Sequence, residues 1–204
     1  MTIQAPSRHP CNDYFNRIRD FLASIGITVL MQPLPKKGFF SRTYISNTTI
    51  FVSENSDISL GEVLHEAGHI ATMPSQFRHL IDGDIEAPEI LEAIKQYLDE
   101  HFHDQLSCGL EDPTCRAIFQ IDDPAATAWS YAAALECGVP TEILFCDHES
   151  FGGLKQSREI HHMLSLNAYI GINSLAASGM TCQRTAAKFL GKKPFPHMEK
   201  WMQI

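Results

Sequence analysis

The five residues His65-Glu66-Ala67-Gly68-His69 constrain this chain more than any other feature. Two histidines four positions apart share a face on an α-helix. The motif therefore predicts a local structure and a chemistry together: both imidazoles point at one divalent ion, and Glu66 projects beside them. The flanking residues agree with a helix. Ser59 followed three positions later by Glu62 forms a capping box, Leu60, Val63, Leu64 and Ala67 recur at helical spacing, and Pro74 stands beyond the end near Ala71.

Two neutral imidazoles leave a Zn²⁺ ion in need of a third protein ligand and an open position, where a bound water is acidified to a pKa of about 7. Glu66 is placed to take that proton and to pass it to a leaving nitrogen, so one carboxylate serves both halves of an amide hydrolysis. The third ligand has to be acidic, because Thr72 and Ser75 stand where a metzincin would carry its glycine and third histidine. Asp123 is the leading candidate. It opens the segment Asp-Asp-Pro-Ala-Ala-Thr-Ala-Trp-Ser-Tyr, whose small residues allow a close helix approach of the kind a short Asp side chain requires. Asp122 can exchange roles with it. Glu89 follows His69 by twenty positions but also suits the solvated first turn of a helix, together with Glu86 and Glu92. Glu62 lies one turn before Glu66, where it serves the cap or orients a ligand histidine.

Around the motif, apolar spacing predicts helices over about 12–25, 88–101, 123–138 and 157–168, with another at Leu175 or at Arg184 to Leu190. Between the first helix and Ser59 lie two β-rich runs, Ile27 to Gln32 and Thr43 to Ser53, the second with a turn at Asn47-Thr48. These predict a small antiparallel sheet preceding the motif helix. With 204 residues and 44% apolar content, the chain is expected to form one α+β, mostly helical domain over 1–204 without covalent staples. The six cysteines are dispersed with no C-x-x-C, which argues for reduced, packed thiols. A zinc knuckle on Cys108 and Cys115 is a minor option, since six residues intervene. Met73, Met163, Met180 and Phe189 read as core filling.

Sixteen basic against 24 acidic side chains give a net charge of −8, the wrong sign for a phosphate-tracking surface, so no nucleic-acid partner is expected. No apolar run approaches the roughly 20 residues of a membrane span, and the start of the chain lacks a signal-peptide core; a cytoplasmic location without membrane contact follows as the expectation. Weaker candidates are Tyr131, His148, His161, His162 and Tyr169 as oxyanion donors and His101 with His103 as a second metal pair, each more simply read as structural or solvated.

The stretch Leu60 to Pro74, and more loosely Asp122 to Pro140, resembles the ImmA/IrrE-type zinc metallopeptidases, which are gluzincin-like. That family follows its H-E-x-x-H with roughly E-x-x-A-x-x-F-A; here Asp123, Ala126 and Trp129 take the corresponding places, with Asp for Glu and at a helix start. The resemblance implies a zincin-like fold and a cytosolic zinc metallopeptidase that cuts a protein or peptide partner, in some cases a repressor. Taken together, the expectation is a hydrolase with Zn²⁺ on His65, His69 and Asp123 and with Glu66 as base. The alternative is a non-catalytic zinc-binding domain for regulation or protein interaction, in which the metal serves stability.

Overall fold

The computed structural model describes residues 10–34, 42–54, 57–101, 118, 121, 123–146 and 153–204. Along these the chain forms helix α1 (Pro10–Ser24), strands β1 (Thr28–Met31), β2 (Thr43–Ser46) and β3 (Thr49–Val52), then helices α2 (Leu60–Thr72) and α3 (Pro88–His101). Helices α4 (Asp123–Glu136), α5 (Thr141–Leu144), α6 (Leu154–Ser165), α7 (Gly171–Ala177) and α8 (Arg184–Leu190) follow. The class is mixed α+β and mostly helical. Among the described residues no helix is long and apolar enough to cross a membrane.

The sheet differs from the all-antiparallel expectation. β2 and β3 form the expected hairpin, with Ser46 opposite Thr49 across the Asn47-Thr48 turn and Asn47 at φ 52°. β1, however, pairs with β3 in parallel, Thr28 opposite Thr49 and Met31 opposite Val52, so the order is β1-β3-β2. Alternating side chains specify which face of a strand is buried but not the direction of its neighbour. Val29, Ile45, Ile50 and Val52 are all buried, and they meet that requirement whichever way β1 runs.

Every residue of α2 is buried, polar ones included, so this helix is the centre of the fold. Its amino end is capped as the sequence predicts: the Glu62 amide donates to Ser59 Oγ at 3.2 Å. Ten consecutive residues of α4, Ala125 to Ala134, are also buried, and α4 is the main partner of α2. Glycine makes that contact possible. A Cβ on Gly68 would lie 2.5 Å from the Ala126 carbonyl oxygen, and one on Gly61 would lie 2.2 Å from the Leu144 oxygen in α5.

The last residues cover the carboxyl end of α2, where carbonyls lack intrahelical partners. The Gln203 amide donates to Ala71 O at 2.8 Å, and Arg78 Nε donates to Ile70 O at 3.0 Å. A second Arg78 nitrogen donates to Gln203 O. Trp201 stacks edge-on against Phe21 and Trp129, and Trp129 Nε1 donates to Trp201 O at 3.0 Å.

Met73 and Met180 are core residues as expected, but Met163 is 40% and Phe189 89% exposed. Phe189 belongs to a seven-residue helix whose buried position is Ala187, so its ring points to water. Cys137 and Cys182 are buried free thiols and Cys146 is an exposed one. Cys108 and Cys115 lie outside the described residues, as do Asp122, His103 and His148.

Candidate metal centre

One turn of α2 brings His65 and His69 onto the same face, with Nε2 atoms 3.1 Å apart. Asp123, the first residue of α4, reaches toward both rings: its Oδ1 stands 3.2 Å from His69 Nε2 and 3.6 Å from His65 Nε2. Both rings are buried, whereas the Asp123 side chain is 80% exposed, so the trio is open to solvent on the Asp123 side. The close approach at Gly68 and Ala126 lets so short an acid span the gap between helices. Among the described residues this is the one group of three side chains able to share a metal ion.

The spacing suits a small tetrahedral cation. Ligand atoms at about 2.0–2.1 Å from zinc in tetrahedral geometry stand roughly 3.3 Å from one another, and the three separations here bracket that value. The donor set suits it too, since two imidazoles and one carboxylate are borderline ligands that accept zinc and its neighbours in the first transition row.

Electrostatics prepare the trio for a cation. Burial lowers the pKa of His69, which favours the neutral ring that a metal needs. Hydrogen bonds from His65 and His69 hold the Asp123 carboxyl well below the usual carboxylate range, so it is ionised. Glu66 is buried beside them, and this burial pushes its pKa up to about 7, with His65 opposing the shift and Glu62 adding to it. A carboxyl titrating near neutrality has the basicity that proton transfer at that pH requires.

Supporting residues surround this core. Glu62 accepts from Thr43 Oγ1 of β2 at 2.6 Å, which ties the sheet to the motif helix. Asp84, in the loop after β3 and α2, adds negative potential at His69 and accepts from the Glu86 amide at 2.8 Å. Neither Thr43 nor Asp84 was expected at the site. Asp84 lies in the segment that the isolated bridge between Ser46 and Asp82 joins to β2. Nδ1 of His69 has no hydrogen-bond partner among the described residues, so packing sets the orientation of that ring.

The other expectations separate from the site. Glu89 is exposed on α3 and joins no cluster with the two histidines. Tyr131 stacks on Phe195 with centroids 6.0 Å apart. His161 contacts Thr141 Oγ1 at 3.0 Å and stacks on Phe145, and His162 is exposed on α6.

No family model matches the chain, and no curated protein or solved structure does either.

Proposed function

We propose that the protein is a zinc-dependent metallopeptidase of the cytoplasm, acting on a protein or peptide. The observation that carries this reading is the convergence of His65 Nε2, His69 Nε2 and Asp123 Oδ1 on one point, with the buried Glu66 on the adjacent position of the same helix. A bound divalent cation would supply Lewis-acid polarisation of a carbonyl and of a water molecule. His65 and His69 would hold such a cation from the protein side, and Asp123 would complete the protein ligands and offset part of its charge from the solvent side. Glu66 accepts the proton of the attacking water and delivers it to the departing amine, which breaks the C–N bond with atoms and charge balanced. The resemblance to ImmA/IrrE-type peptidases supports the same assignment, and a zincin-like arrangement belongs with it.

A site whose metal serves only stability has no need of a proton acceptor beside it. The decisive experiment compares the zinc-loaded protein, Glu66→Gln and His65→Ala on a fluorogenic peptide library, with metal content measured in parallel. Glu66→Gln keeps zinc and loses turnover, while His65→Ala loses both. Full hydrolysis by Glu66→Gln would remove the general base. Zinc binding by the unaltered protein with no cleavage of any library member would favour the non-catalytic alternative.

A further inference from the structure

The segment that carries the histidines is more acidic than a metal ion requires. Residues 57–101 hold two cations, Arg78 and Lys95, against ten Asp and Glu, a net −8 that equals the charge of the whole chain. The helices that build the site, α2 and α4, contain Glu62, Glu66, Asp123 and Glu136 and not one Lys or Arg. Among the described residues, the charges acting on Glu66, His69 and Asp123 are those of His65, His69, Glu62, Asp84 and Asp123, with no lysine or arginine among them. Arg78 gives its nitrogens to Ile70 O and Gln203 O.

Within this set Asp84 has no part in the three-ligand group. It is exposed, and the Lys and Arg ion pairs among the described residues lie elsewhere, at Arg19, Lys155 and Lys192. Backbone pairing fixes where it stands. After α2 the chain returns along the outer edge of β2, where Asn47 N donates to Ile81 O at 2.8 Å and Gly83 N donates to Ile45 O at 2.7 Å. Tyr44 Oη donates to Asp82, and a Cβ on Gly83 would lie 2.7 Å from the Tyr44 ring. The segment thus runs toward the Thr43 end of β2, where Thr43 Oγ1 donates to Glu62 of α2. Asp84 comes next, close enough for its charge to act on His69. The Glu86 amide donates to Asp84 Oδ1 at 2.8 Å and holds the carboxylate in one orientation.

A preoriented, solvent-exposed carboxylate at the rim of an open catalytic centre is suited to recognise a cation on the molecule that enters. We infer that the substrate is a peptide with Lys or Arg beside the scissile bond, and that Asp84 is the residue that selects it. The inference rests on the peptidase reading above. The surrounding carboxylates steer such a peptide toward the centre, whereas an acidic peptide meets like charge on approach.

The test gives the zinc-loaded full chain three fluorogenic peptide sets, identical but for a fixed central Lys, Gln or Glu. Fluorescence anisotropy reads binding of the same peptides, labelled, to zinc-loaded Glu66→Gln. An exposed ion pair contributes about threefold and a like-charge contact opposes by about as much, so kcat/KM should favour Lys over Glu by about tenfold, with Gln between and the difference in KM. High salt should shrink the preference to about threefold. Asp84→Asn keeps the acceptor for the Glu86 amide and removes the charge, so the folded variant should retain a preference of about threefold or less. Asp84→Lys should invert it. The ratio is read within one protein, which makes it insensitive to a change in zinc content. Equal cleavage of the three sets overturns the inference and leaves the peptidase reading standing, as does the full preference in Asp84→Asn. Lys-selective binding with no cleavage overturns the peptidase reading and supports cation recognition by Asp84. Neither cleavage nor Lys-selective binding overturns both.

Discussion

Gly68 and Ala126 touch backbone to backbone: a Cβ on Gly68 would sit 2.8 Å from Ala126 Cα as well as 2.5 Å from its carbonyl oxygen. The glycine inside the metal-binding motif thus sets the distance between the helix that carries the histidines and the helix that begins with Asp123. Because the obstacle is backbone, Gly68→Ala has to push α4 away. The expected cost is about 1–3 kcal/mol of stability, with a loss of zinc affinity as Asp123 recedes. Thermal melting and calorimetric zinc titration check both. An alanine variant with unchanged zinc affinity would show that the gap between the helices does not position Asp123.

The Asp123 turn is braced from its other side by Gly171, the first residue of α7, where a Cβ would fall 1.8 Å from the Pro124 oxygen. Gly171→Ala is therefore expected to weaken zinc binding although residue 171 lies far from the motif in sequence. Substitution at Gly153, whose Cβ would meet nothing within 4 Å, provides the comparison, although its positive φ of 99° carries its own strain. Zinc affinity should fall for the first variant and hold for the second.

Removal of the Asp123 charge isolates its role as ligand. Asp123→Asn retains the size of the side chain while deleting the negative oxygen nearest His69 Nε2, at 3.2 Å. Loss of an outer partner of a metal site already costs about 10–100-fold in affinity, so the asparagine variant should lose at least about that much. Competition with a chromogenic chelator measures it, and retention of wild-type affinity would place the third ligand elsewhere.

Arg78 joins two carbonyls, Ile70 O at the end of α2 and Gln203 O in the final segment. Arg78→Ala leaves both short of a charged donor, for an expected loss of about 1–3 kcal/mol. The final residues should then become accessible to carboxypeptidase in the folded protein. Denaturant unfolding and mass spectrometry of the digest provide the readouts; resistance equal to the unaltered chain would mean that Trp201 packing alone holds the segment.

Cys137 gives a pH prediction away from the metal centre. Burial, followed by the neighbouring Glu136, moves its thiol from the ordinary 9.0 to about 12. The folded state thus favours the neutral thiol. The associated stability is full below about pH 9 and is lost as pH rises through the window to about 12. Iodoacetamide at pH 8 should accordingly label the exposed Cys146 and spare Cys137 until denaturant is added. Peptide mapping distinguishes the two, and equal labelling in the native protein would contradict the burial of Cys137.

Much of the arrangement was legible in the sequence because it depends on local rules. Helical spacing put His65 and His69 on one face, Ser59 marked where α2 starts, and the Asn47-Thr48 turn paired β2 with β3. The small residues after Asp123 gave away a close helix approach. What remained hidden were relations between distant segments. The parallel pairing of β1 leaves no mark in its side chains, and Phe189 looked like core until α8 proved only seven residues long with Ala187 as its buried position.

By itself, then, the sequence determined the helix, its cap and the two imidazoles, because a helical turn is set by the backbone within five residues. Tertiary structure alone decided that Asp123 stands 3.2 Å from His69 and that Gln203 and Arg78 close the end of α2. Those outcomes depend on which surfaces pack together, and close packing between segments tens of residues apart is settled by the whole core at once.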